Sequence, residues 1–249
     1  MHQAARLLAW ALLPFTAAAH AVTDGAPAPL AMGPHLTVGN GGTDPVIYDS
    51  TGTNFTVTTS TPRTYIGGAA NITGAGPQVD ITSLDVYMVS TAATSYNNVR
   101  VRVQLWDTYT EGSSPIFSNA AGALITSDLG AITTAANSVY TITLNLASPL
   151  RLNSLNAKGF AVNFQSDTGS GLADDTTLLN AMCYGSAQPV GTSAVNSGNG
   201  FYRNASARTD FNFNSTDLRT FTGITDVRTA LVLRGNASVP VTLQSYGVE

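Results

Sequence analysis

The chain has 249 residues, only 10% of them charged, and its 11 basic and 15 acidic side chains become 10 against 15, a charge of −5, once Arg6 of the leader described below is set aside. Charges so few and so scattered form no basic patch for a phosphate backbone, which excludes nucleic acid as a partner. Lys158, Glu111 and Glu249 are the only lysine and glutamates, whereas Thr, Val and aromatic residues that suit a pleated surface are plentiful, so the composition predicts an all-β protein.

Met1 to Ala21 carries Arg6 near its start, an apolar run from Leu7 to Ala19, and then Ala19-His20-Ala21. That order is the pattern of a cleavable secretory signal, and the run is shorter than the roughly 20 residues a bilayer span requires. The mature chain is therefore expected to begin at Val22 in a secreted, extracellular or periplasmic location. The last residues, 241–249, bring no polar spacer and hydrophobic tail, so no transmembrane segment is expected after cleavage. Cys183 is the single cysteine. It has no partner for an internal disulfide and reads as a small buried apolar residue.

Residues 22–35 contain Pro and Ala without periodicity and read as a flexible N-terminal arm; 36–249 reads as one domain. Within it, strand-like segments recur between Gly, Asn and Ser clusters. Candidates begin at 55–59 and 64–66. Leu84, Val86 and Met88 alternate with Asp85 and Tyr87, but Ile81 is out of phase with them, which predicts a β-bulge near Thr82-Ser83. From Asn98 to Trp106, the aliphatic residues Val99, Val101, Val103 and Leu105 alternate with Arg100, Arg102, Gln104 and Trp106, the clearest half-buried strand in the chain. Further candidates are 123–126, 138–146 (Tyr140, Ile142, Leu144 and Leu146 on one face), 160–164 (Phe160, Val162, Phe164), 200–203, 211–213, 230–234 and 241–246. The stretch 166–199 lacks alternation and is expected to form long loops.

About ten strands with one apolar face each, and no amphipathic helix, predict a two-sheet antiparallel β-sandwich, a jelly roll first and an immunoglobulin-like sandwich second. The segments Ile81-Thr82-Ser83-Leu84-Asp85-Val86-Tyr87-Met88, Val99 to Asp107, Gly159-Phe160-Ala161-Val162-Asn163-Phe164 and Ala230-Leu231-Val232-Leu233-Arg234-Gly235 resemble exported bacterial sandwich domains of the choice-of-anchor type. The resemblance covers about 44–235. It implies a secreted bacterial jelly roll, which in those proteins is followed by a Pro-Glu-Pro sorting segment that this chain does not show.

Catalytic chemistry has few carriers here. His35 is the only histidine beyond the leader, and no Gly-x-Ser-x-Gly elbow accompanies it. A glycosidase needs two carboxyl groups, and with Glu111 alone in the domain, Asp85 and Asp107 are the substitute pair. The outward phase of Trp106, beside Arg100, Arg102 and Gln104 and near Tyr109, suggests a sugar-stacking platform. Its structural alternative is a Trp turned into the core rim or under a loop. Tyr202 and Arg203, in the aromatic and polar run from Phe201 to Asn214, form a second candidate binding edge. Asp167, Asp174 and Asp175 are candidate ligands for Ca²⁺, the one cofactor for which the sequence offers ligands. Together these readings lead to an exported structural or adhesive protein of the cell surface, partnered by an extracellular glycan or a matrix protein. A carbohydrate-binding module is the alternative, and a glycan-active hydrolase or lyase stands behind it.

Overall fold

The computed structural model describes residues 30–40, 43–52, 54–57, 64–72, 78–110, 116–120, 124–152, 157–184, 187–193, 201–203, 211, 219–220 and 227–238, with 116–120, 201–203, 219–220 and 237–238 described through their backbone. The secretory leader, arm residues 22–29, Glu111 and the strand expected at 241–246 lie outside them, as do parts of the strands expected at 55–59, 123–126, 200–203 and 211–213.

No helix occurs among the described residues. In chain order the strands are β1 (Ala31–Met32), β2 (Leu36–Val38), β3 (Val46–Asp49), β4 (Asn54–Thr56), β5 (Tyr65–Asn71), β6 (Gln78–Ser90), β7 (Ser95–Thr110), β8 (Ile116–Ala120), β9 (Ile125–Thr133) and β10 (Ser138–Leu152). There follow β11 (Lys158–Asp167), β12 (Ala173–Asp174), β13 (Leu178–Asn180), β14 (Met182–Tyr184), β15 (Thr192–Ser193), β16 (Phe201–Arg203), β17 (Arg219–Thr220), β18 (Val227–Thr229) and β19 (Leu231–Ser238). The first sheet runs β1-β10-β6-β19-β3, with β2 also on β10 and β13 also on β6. The second runs β17-β16-β5-β11-β7-β8, with β9 also on β7, β12 on β11 and β15 on β5. A small third sheet has the order β18-β14-β4.

Alternation in the sequence becomes a face in the fold. Val99, Val101, Val103 and Leu105 of β7 and Phe160, Val162 and Phe164 of β11 point from the second sheet into one core with Leu84, Val86 and Met88 of β6 and Ile142 and Leu144 of β10. All of these side chains are buried, and each contributes about 1.5–3 kcal/mol relative to exposure. The two large sheets thus face each other across a shared apolar layer, as a β-sandwich does.

The bulge near Thr82 is present. On β19, Arg234 pairs with Ser83 and the next residue, Gly235, pairs with Ile81; on β10, Asn145 pairs with Ser83 and the next pair is Leu150 with Ile81. Thr82 is left without a counterpart on either side, so Ile81 and Leu84 both reach the core although they are three residues apart. The bulge brings Gly235 so close that a Cβ there would lie 1.9 Å from the Asp80 carbonyl oxygen. Gly235→Ala is therefore expected to destabilise the protein at or above the top of the ~1–3 kcal/mol range of overpacked sites, read as a lowered urea midpoint. An unchanged midpoint would refute the close approach.

Two stretches differ from the sequence reading. The arm is expected to stay flexible through residue 35, but Ala31–Met32 pairs in parallel with Ser138 and Val139 of β10, just ahead of Leu36–Val38, the first strand of the expected domain, which pairs with Ile142, Thr143 and Leu144. The cause is apolar: Leu36 and Val38 pack against the main core and Leu30 against a second cluster. The expected loop region 166–199 contains β12 to β15, strands of two or three residues, too short to display alternation. Of these, β14 joins β4 and β18 in the third sheet, which covers the outer face of the first: Cys183 and Phe55 meet Tyr87, Val89, Val139 and Val232. Phe55 stacks on Tyr87 with ring centroids 5.0 Å apart. Burial pushes the Cys183 thiol up to about 12, so this cysteine is an apolar packing residue and not a nucleophile.

Candidate functional site

The outer face of the second sheet collects most of the candidate residues. β7 presents Arg100, Arg102, Gln104 and Trp106 outward, opposite Gln165, Asn163, Ala161 and Gly159 of β11. Tyr65 of β5 lies beyond Asn163 in register, so Arg102, Asn163 and Tyr65 stand abreast on three adjacent strands. From the hairpin after β11, Asp174 reaches back over them.

These groups close on one another. Arg102 donates to Asp174 Oδ1 at 2.8 Å, to the Tyr65 hydroxyl at 3.0 Å and through Nε to Asn163 Oδ1 at 2.8 Å. Tyr65 donates to Asp174 Oδ2 at 3.1 Å and Gln165 to Asp174 Oδ1 at 3.1 Å. The Asn163 amide donates to the Thr64 carbonyl at 2.9 Å. Phe211 covers the array, with its ring 5.4 Å from the Arg102 guanidinium and edge-on to Tyr65 at 5.0 Å. Side-chain exposure is 11% for Arg102 and 6% for Asp174, so the pair is desolvated. Burial also pushes the Tyr65 hydroxyl up to about 12, although the Arg102 charge works against this.

The arrangement decides between the two readings of Trp106. Its side chain is 6% exposed and packs with Tyr65, Ala161 and Phe211. Outward phase is correct, but the outward face is covered here, so Trp106 offers no open ring to a sugar. Gln104 is buried and donates to the Leu105 carbonyl. Tyr109 is buried against Ala69 and Ala157. Arg100 stays near the surface in a two-pronged pair with Asp128 of β9, at 2.6 and 3.0 Å, and holds the Asp128 carboxyl below the usual carboxylate range. Tyr202 and Arg203 pair through their backbone with Ile66 and Tyr65; their side chains lie outside the described set. The contributions of Tyr65, Asn163 and Phe211 were not foreseen, since no local pattern shows that strands distant in sequence bring them beside Arg102.

The three acids proposed for Ca²⁺ do not converge. Asp167 accepts from the amides of Gly169 and Gly171, Asp174 is enclosed by Arg102, Tyr65 and Gln165, and Asp175 accepts from Ser166 and Thr177. Asp174 is neutralised by Arg102, and Asp167 and Asp175 each accept from donors close to them in the fold. Among the described residues no group of three His, Cys, Asp or Glu side chains is placed to share an ion.

Asp85 and Asp107 stand on different sheets, on β6 and β7. Asp85 lies in a chain of contacts on the first sheet: His35 Nε2 is 2.8 Å from Thr143 Oγ1, Thr143 donates to Asp85 Oδ1 at 2.6 Å, and Arg234 donates to Asp85 Oδ2 at 2.7 Å. A hydroxyl has one proton, so His35 is the donor to Thr143. A nucleophilic triad requires the imidazole between hydroxyl and carboxylate; here the hydroxyl is in the middle, and the order fits a structural tether for the arm. Comparison of the chain with protein-family models, curated proteins and solved structures finds no match.

Proposed function

We propose that this protein is an exported bacterial β-sandwich of the jelly-roll type, serving as a structural or adhesive component of the cell exterior. Support for the jelly roll comes from strand order. Read as β3-β19-β6-β10 in one sheet and β5-β11-β7-β9 in the other, these strands cross from sheet to sheet at every step along the chain except β7 to β9, which pair directly, the order of two joined Greek keys. Export rests on the leader Met1 to Ala21 and agrees with the resemblance to choice-of-anchor domains.

One observation carries the structural reading over the binding one: every described cationic side chain works for the fold. Arg100, Arg102, Arg151 and Arg234 pair with Asp128, Asp174, Asp80 and Asp85. Arg228 donates to the carbonyls of Ser50, Thr51 and Ala187, and Lys158 to that of Asp107. A glycan site spends such donors on its ligand and leaves them open without it. The partner is then a matrix protein, or a glycan met by the surface at large.

The test is made on the producing cells. N-terminal sequencing of protein recovered from the cell exterior is expected to begin at Val22, and deletion of the gene to weaken attachment or surface integrity. The purified protein is expected to retain no sugar on a glycan array. Retention of a defined glycan would establish the binding module instead, and an intact Met1 would remove the export argument.

A further inference from the structure

Lys158 is the only lysine of the chain and it is 2% exposed. Lysine is the side chain that least tolerates such a place, being almost never fully buried unless paired. A sole lysine put inside a sandwich calls for a chemical reason.

Its neighbour across the sheet supplies one. Gly159 of β11 pairs with Trp106 of β7, so the next step sets Lys158 opposite Asp107. One residue further the strands fall out of step, because Tyr109 N donates to the Ala157 carbonyl at 2.8 Å, where continued register would bring Thr108. Asp107 and Thr108 therefore bulge together opposite Lys158. The preceding pair on the same face, Phe160 with Leu105, is in the core, so Lys158 and Asp107 occupy the inner face at the end of the sandwich. Lys158 Nζ lies 3.2 Å from the Asp107 carbonyl oxygen.

We propose that Lys158 and Asp107 are joined by an intramolecular amide between Nζ and Cγ, a covalent cross-link of β11 to β7. Burial pushes the Lys158 amine below its ordinary range, against the opposing pull of the Asp107 charge, and so favours the neutral, nucleophilic form. The amine attacks Cγ of the Asp107 carboxyl; the Nζ–Cγ bond forms, one Cγ–O bond breaks, and that oxygen leaves as water with two of the protons carried by the Lys158–Asp107 pair. No oxidant or other reactant is needed. The product replaces a buried amine, costly to keep charged, and its half-buried acidic partner with one neutral amide, and it ties the two central strands of the second sheet. The cross-link is independent of what the outer surface adheres to.

The test uses the wild-type mature protein, unfolded in denaturant. Its intact mass, counted from the N-terminus found by sequencing, is expected to fall short of the chain mass by one water, and digestion is expected to yield one branched peptide joining the segments around Asp107 and Lys158. An amine-acylating reagent should modify the α-amine and nothing else, because Lys158 carries the only ε-amine. Asp107→Ala should restore the full mass expected for its sequence and a second acylation. A wild-type chain of full mass whose Lys158 is acylated on unfolding overturns the proposal.

Discussion

Trp106→Ala is expected to lower stability by about 3–5 kcal/mol, the cost of truncating a large core side chain, and to leave any glycan retention where it was. The indole is 6% exposed and its neighbours Tyr65, Ala161 and Phe211 come from β5, β11 and a segment much later in the chain. Removing it leaves a void where three distant parts of the chain meet, and the walls have little freedom to collapse, because Tyr65 is held by Arg102 and Asp174. The denaturation midpoint measures the loss, with the dependence on denaturant unchanged. A stability change within about 0.5 kcal/mol, the usual limit for surface positions, together with lost retention of a glycan, would return Trp106 to the role of an open platform.

Trp106 also shows where the sequence is informative and where it is not. Period-two alternation is a local property, so Val99 to Trp106 reveals a strand, its two faces and even which residues are outward. The interruption between Ile81 and Leu84 likewise reveals the bulge at Thr82, because a missed beat is visible in the sequence itself. What lies over an outward face is a long-range fact. Phe211 covers Arg102 from far along the chain, and the third sheet covering Tyr87 is assembled from β4 before it and β14 and β18 well after it, and no composition or spacing near Trp106 reports them. Short strands are hidden for a different reason: Leu178–Asn180 and Met182–Tyr184 are each too brief to complete a pattern, and they are strands only because β6 and β4 offer them ladders. The chain at the arm's junction with the domain is similar, since Leu36 and Val38 are two apolar residues in a Gly- and Pro-rich run, and their pairing with β10 becomes evident only when that edge is in view.

The pair of Arg102 and Asp174 gives the second large effect. Arg102→Met is expected to cost about 3–5 kcal/mol, as breaking a buried ion pair from one side does, because the Asp174 carboxylate stays enclosed, keeping Tyr65 and Gln165 as donors but losing its counter-charge. The same substitution removes the donor to Asn163 and the cation beneath Phe211, so the cover over Trp106 should loosen. Trp106 is the only tryptophan beyond the leader, and its emission is expected to shift to the red at denaturant concentrations where the parent is still native. The double variant Arg102→Met with Asp174→Leu separates charge from packing. With both charges gone and similar volume restored, most of the lost stability should return, since buried pairs replaced by apolar residues are often neutral or more stable. If instead Arg102→Met is as stable as the parent but abolishes adhesion or binding of a glycan, the network is a recognition site and the structural reading of this face is wrong.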